Sequence, residues 1–148
     1  MPPSERTLIL LKPDAVDRGL CGEILGRFEQ AGLRVLDACR GKFTRSMLER
    51  HYADLRRRLP DAYRRTASLF VGRHAIAVVL VGPNAVAKAR ALVGPTDPLT
   101  SPAGTIRGDL SCDSLAAANA ESRGLDNLVH ASDSGKSARR EMRLWFGQ

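Results

Sequence analysis

Asn127-Leu128-Val129-His130-Ala131-Ser132-Asp133-Ser134 places a histidine at the close of a short apolar run, just ahead of a string of helix-capping residues. Neutral imidazole is a good nucleophile near pH 7. The spacing predicts a strand ending at His130 and a helix beginning between Ser132 and Ser134. The unpaired N–H groups and positive dipole end of that helix favour an anion nearby. A histidine so placed can take up a phosphoryl group and hand it on.

The elements that must position it follow from periodicity. Thr7 to Leu11 is a short apolar run ended by Lys12-Pro13-Asp14, which reads as a buried strand and a turn, with Lys12 a cation at the strand end. Leu25, Phe28 and Ala31 recur at helical spacing from Cys21, and Gly32 supplies a stop. Leu33 to Phe43 alternates imperfectly as a second strand. Ser46 with Glu49 then reads as a capping box opening a helix whose Leu48, Tyr52 and Leu55 share one face. Pro60 opens a further helix that ends near Gly72. Ala75 to Val81 is a strand buried on both faces, followed by a helix presenting Val86, Ala89 and Val93 to the core and leaving Arg90 beside that stripe. Residues 94–127 lose periodicity apart from a helical turn at Leu115 to Ala120, and a loop of that length inside a compact domain points to function. Ala138, Met142 and Trp145 give the last helix its buried face. This order predicts an α/β (α+β) chain with a ferredoxin-like split βαβ core, a four-stranded antiparallel sheet covered by helices.

Composition sets the class. The 148 residues suit one domain over 1–148 with a single core, and nothing in the 43% hydrophobic content suggests disorder. No run is long enough to span a bilayer and the first residues lack an apolar leader core, so the expectation is a cytoplasmic protein without membrane contact. Cys21, Cys39 and Cys112 are odd in number and widely spaced, fitting free thiols better than a disulfide framework or a zinc site. The formal net charge of +7 attracts polyanions of any kind, nucleotides and nucleic acid alike. Arg56-Arg57-Arg58 and Arg64-Arg65 read as solvated helix faces, because little aromatic stacking surface accompanies them.

Taken together and in order, Lys12-Pro13-Asp14, Arg18-Gly19-Leu20, His51-Tyr52, Gly104-Thr105-Ile106-Arg107-Gly108-Asp109, the Asn127 to Ser134 string, and Glu141 with Leu144-Trp145-Phe146 resemble the nucleoside diphosphate kinases over nearly the whole chain. The resemblance implies transfer of the terminal phosphate of a nucleoside triphosphate such as ATP to a nucleoside diphosphate, by a ping-pong route through a phosphohistidine. It makes His130 the nucleophile, Glu141 the group holding its reactive tautomer, Ser132 a member of the same network, and Lys12 and Tyr52 residues positioning the transferring phosphate. Arg90, Thr96 and Arg107 match the family's phosphate ligands and Asn127 its sugar-hydroxyl ligand. It also implies Mg2+ carried by the nucleotide phosphates with no direct protein ligand, and a homo-oligomer, hexamer or tetramer. Guanidinium forks suit such chemistry, since phosphoryl transfer is governed by positioning and electrostatics.

The chain departs from the family's pattern in the nucleoside pocket. Leu59-Pro60-Asp61-Ala62-Tyr63 lacks the phenylalanine on which the family stacks the base, leaving Tyr63 as the available π-face. Residues 114–124 form an insert in the long loop, placed to reshape the base side, cover the site or meet another subunit, and the residue before Asn127 is Asp126 where the family often has arginine. The competing functions are a nucleotide- or nucleic-acid-binding regulator, and a phosphotransferase specialised for one pathway, on the same fold. A binding module has no need for an oriented imidazole.

Overall fold

Leu8-Ile9-Leu10-Leu11 sends successive side chains to opposite faces of an extended chain, and both faces are apolar, so this strand must be covered on both sides. The computed structural model describes residues 3–147. In it, β1 (Ser4–Leu11) lies inside a four-stranded sheet with β2 (Arg34–Lys42), β3 (His74–Pro83) and β4 (Val129–Ala131) in the order β2-β3-β1-β4, every pairing antiparallel. This is the ferredoxin-like arrangement expected.

Ile9 and Leu11 pack with Ile24, Phe28, Val78, Leu80, Ala85, Ala89 and Ile106 in one layer. Leu8 and Leu10 pack with Phe43, Leu48, Phe70, Ala75 and Ala77 in the other. The first layer uses α2 (Cys21–Gln30) and α6 (Ala85–Val93); the second uses α3 (Arg45–His51), α5 (Pro60–Phe70) and α9 (Gly135–Phe146). Register then decides where the histidine looks: His130 is paired with Leu10, so it faces the layer of α3 and α9.

Several local expectations are corrected. Lys12-Pro13-Asp14 is more than a turn, because Pro13 opens a short helix α1 (Pro13–Asp17) at the position where its missing N–H costs nothing. The cap of α3 is Thr44, whose hydroxyl accepts from Met47 N at 3.1 Å, and not Ser46, which lies inside the helix. Tyr52 sits at the junction between α3 and α4 (Ala53–Arg58) rather than within a helix. In α6 it is Ala85 that is buried with Ala89 and Val93, while Val86 is half-buried.

The stretch 94–127 holds a 3₁₀ turn at Pro98–Thr100, α7 (Ile106–Leu110) and α8 (Leu115–Ala120), the last where a helical turn was expected. Aperiodic sequence hid α7 because it is only five residues long. Its motif is nonetheless structural letter by letter: Gly104 has φ +92°, Thr105 caps the helix through Gly108 N at 3.0 Å, and Ile106 is fully buried. Asp109 accepts from Gly104 N and from Arg27 of α2. Gly108 admits no side chain, since a Cβ there would lie 2.1 Å from the Pro102 carbonyl oxygen. Arg107 is the residue left over, and it points to the site.

Candidate active site

His130 ends up where β4, α3 and α9 meet. Ser134 caps α9 by accepting from Ser137 N at 3.0 Å, and Lys136 and Ser137 of the first turn line the same cavity as the histidine. Its Nε2 is hydrogen-bonded to Glu141 Oε1. The Ser132 hydroxyl stands 3.1 Å from the same carboxylate oxygen and 3.2 Å from the Leu8 carbonyl, both acceptors for its one proton. Glu141 is 2% exposed, so its charge is spent on these partners and on the Arg140 guanidinium at 3.7 Å. With Nε2–H donating to Glu141, the lone pair of the neutral ring is on Nδ1.

The histidine lines a cavity of about 1380 Å³ shared with Tyr52, Arg90, Thr96, Arg107 and Glu141. Further cations stand around it: Arg57, Lys136, Arg139, Arg140 and Arg143, against the carboxylates of Asp54, Asp133 and Glu141. Arg107 is fixed by donating to the carbonyls of Asn127, Gly94 and Val129 at 3.2, 3.0 and 2.7 Å, and Arg90 donates to the Ala131 carbonyl at 3.3 Å. Burial and the neighbouring Arg90 bring the Arg107 guanidinium down to about 10.

Behind the cavity wall, Lys12 donates to Asn127 Oδ1 at 2.7 Å, and Asn127 donates from Nδ2 to the Thr96 carbonyl at 2.9 Å. Burial, then Arg107, lowers the Lys12 ammonium to about 7. Tyr52 is pushed up by burial and by Glu141, so it remains a protonated phenol. Most of the sequence-read residues thus fall into two networks, His130 and Ser132 on Glu141, and Lys12, Thr96 and Arg107 on Asn127, while Arg90 and Tyr52 line the cavity outside both.

Tyr63 does not join them. Its ring faces Arg56, with the guanidinium carbon 5.8 Å from the centroid, and it is absent from the cavity wall. Residues 114–124 are also absent from that wall: Arg123 folds the segment back by pairing with Asp113, and Gly124 packs so closely that a Cβ would lie 3.0 Å from the Arg65 carbonyl of α5.

Sequence reasoning missed Asp14 and His51. Asp14 Oδ2 accepts from Leu128 N at 3.0 Å while the Leu128 carbonyl accepts from Lys12 N at 2.8 Å. These bonds hold Leu128 at φ +70°, a strained conformation for leucine, one residue after Asn127 and two before His130. The third residue of Lys-Pro-Asp was the available signal. His51 stands edge-on to His130 with ring centroids 4.6 Å apart, and only its place before Tyr52 hinted at it.

The nucleoside diphosphate kinase family model matches residues 5–148. The chain is 40% identical to the nucleoside diphosphate kinase of Pyrobaculum aerophilum over 97% of this chain and 96% of that protein. It is also 40% identical to human nucleoside diphosphate kinase 3 over 96% of this chain and 77% of that one. Among solved structures it resembles the transition-state mimic of nucleoside-diphosphate kinase from Borrelia burgdorferi with bound vanadate and ADP, with TM-score 0.92, 32% identity, and 97% and 87% of the two chains covered. The crystal structure of the Pyrobaculum aerophilum NDP kinase gives TM-score 0.88 and 37% identity over 97% and 96%. An end-to-end family match and the same sheet around one oriented histidine lead to one assignment: the chain belongs to the nucleoside diphosphate kinase family and is an enzyme of that kind, a nucleotide-binding phosphotransferase.

Proposed function

We propose that His130 carries the phosphate between nucleoside triphosphate and nucleoside diphosphate in a ping-pong reaction. The observation that carries this reading is the Glu141 hydrogen bond to Nε2, which leaves Nδ1 as the nucleophilic atom of a cavity-lining imidazole. The Nδ1 lone pair forms a bond to the terminal phosphorus, the bond to the bridging oxygen breaks, and its electron pair leaves with the departing diphosphate. Positive charge gained by the ring is met by the Glu141 carboxylate. A second nucleoside diphosphate then attacks the phosphohistidine by the reverse sequence. Arg90, Arg107, Thr96 and Lys12 bind and orient the phosphate chain, Tyr52 donates to it, Ser132 steadies Glu141, and Asn127 takes the sugar hydroxyl.

The carboxylates on the cavity wall do not form an oxygen cage: Asp54 is paired with Arg57 and Arg58, Glu141 with His130 and Ser132, and Asp133 with the side chains of Ser137 and Ser134. That suits Mg2+ held by the nucleotide's own phosphates, where it would neutralise charge on the leaving group. With Tyr63 turned to Arg56, base recognition is weak and the nucleoside range broad.

We read residues 1–148 as a single domain with 114–124 as an insert, working in the cytoplasm, where the free thiols of Cys21, Cys39 and Cys112 stay reduced. No helix among the described residues is long and apolar enough to cross a membrane. The chain is read as a homo-oligomer, supported by the edge strand β2, whose Val35 and Leu36 are 39% and 47% exposed. A monomeric mass by light scattering would refute that part. The test of the mechanism is incubation with terminally labelled ATP: acid-labile phosphate is expected on the wild type and none on His130→Ala, whereas an unlabelled wild type or an equally labelled variant would overturn it.

A further inference from the structure

The Trp145 indole N–H can only donate, and it lies 3.1 Å from His51 Nδ1. Nδ1 therefore accepts, and the single ring proton of a neutral His51 is on Nε2. The ring is neutral because burial, then His130, Arg140 and Lys12, hold its pKa well below the ordinary value. Its backbone is fixed as well, since Arg140 donates to the carbonyls of Arg50 and His51 at 2.7 and 3.3 Å.

This locked Nε2–H has no acceptor among the described residues, and His51 is only 4% exposed. The Tyr52 ring stands edge-on to it with centroids 4.7 Å apart, and the Tyr52 hydroxyl is likewise a buried atom without a partner among the described residues. Buried unpaired donors are costly and rare, so two on consecutive residues in the wall of one cavity point to an acceptor that the resting protein does not supply.

A metal ion is not the missing partner. His51, His130 and Glu141 do offer ligand atoms within 4.8 Å of one another. Ligation through His51 Nε2, however, would require its proton to move to Nδ1, where it would face the Trp145 N–H donor to donor. It would also bring a cation into a site already crowded by Lys12, Arg107 and Arg140.

We propose that His51 Nε2–H is a hydrogen-bond donor to the phosphoryl group carried on His130, stabilising the phosphoenzyme over the free enzyme. The rings meet edge-on at 4.6 Å, and an acceptor that arrives covalently on His130 needs no solvent path to a buried nitrogen. The free enzyme bears the unpaired donor and the loaded enzyme satisfies it, which makes the interaction differential in the sense that matters for a reaction intermediate. The proposal rests on the reading of His130 as phosphate carrier.

The decisive measurement is the equilibrium constant for loading, obtained by quenching enzyme equilibrated at fixed ATP/ADP ratios and counting phosphoenzyme. His51→Phe keeps a ring against Tyr52 and Trp145 but removes the N–H. Its constant should fall about tenfold, which is about 1.4 kcal/mol, with ADP affinity changed less than about twofold. His51→Gln, which restores an N–H donor, should regain part of that loss; a His51→Phe constant equal to wild type would overturn the proposal. Independently of any variant, nitrogen-15 spectra of the histidine rings in the wild-type enzyme should show His51 protonated on Nε2, with that proton moving downfield on phosphorylation. A proton on Nδ1, or an Nε2–H signal unmoved by loading, would equally overturn it. A wild-type enzyme that forms no acid-labile phosphate would instead sink the carrier reading, before any His51 variant is compared.

Discussion

Lys12 is the residue whose charge the fold leaves most open to its ligand. Burial and Arg107 bring its pKa to about 7 from 10.5, so much of it is neutral in the empty site at mildly alkaline pH. A phosphate chain restores the proton, and nucleotide binding near pH 8 should take up protons through this group. Calorimetry in buffers of different ionisation enthalpy should show that uptake in the wild type and less of it in Lys12→Met. The same shift has a stability sign. Between pH 7 and 10.5 the unfolded chain binds more protons at this lysine than the folded one, so its contribution makes stability rise with pH through that window. In Lys12→Met that rise should flatten in urea titrations. In the proposed mechanism Glu141 works differently, by direction rather than charge supply: Glu141→Gln should slow His130 phosphorylation by roughly 10- to 100-fold, the range of lost orienting partners, while nucleotide affinity holds. An unchanged rate would remove Glu141 from its orienting role.

Elements matter here through what they forbid. In α7, Thr105 and Gly108 are fitted so tightly that Arg107 has one place to go, and its three carbonyl acceptors complete the fixation. Gly108→Ala should therefore cost about 1–3 kcal/mol, the range of overpacking, and weaken nucleotide binding together with stability. Gly104→Ala meets no atom within 4 Å and strains only its positive φ, so its loss should be smaller and leave nucleotide affinity intact. Comparing denaturant midpoints with ADP affinity for the two variants checks both statements. At the other end of the site, Ser134→Ala removes the cap of α9, with an expected loss of about 1 kcal/mol.

For the whole molecule, the excess of cations is gathered where it can act. Lys136, Arg139, Arg140 and Arg143 recur along one face of α9 and line the same cavity as Arg57, Arg90 and Arg107. Part of the net charge of +7 is thus concentrated as a local field at the cavity proposed to receive polyphosphates. Screening should reduce kcat/KM for ATP severalfold between about 0.05 and 0.3 M salt, with kcat nearly constant. A salt-independent kcat/KM would show that this field plays no part in capture.

The sequence by itself determined the family and most of the frame. His130, Glu141, Lys12, Arg107 and Asn127 could be offered for the site because their motifs are short and ordered, and the strands were legible because buried two-sided runs such as Leu8 to Leu11 have few other uses. Local periodicity was weakest where elements are shortest, which is why α1, α7 and the break at Tyr52 were read as a turn, a loop and a continuous helix. Only the tertiary structure decided which side chains meet. Lys12 and Asn127 are 115 residues apart yet joined at 2.7 Å, and Trp145 reaches across 94 residues to fix the tautomer of His51. Such contacts depend on strand register and helix packing, which bring distant residues together without leaving a periodic trace in the chain. For the same reason the sequence could offer Tyr63 and the 114–124 insert as parts of the site, and packing against Arg56 and α5 directed both elsewhere.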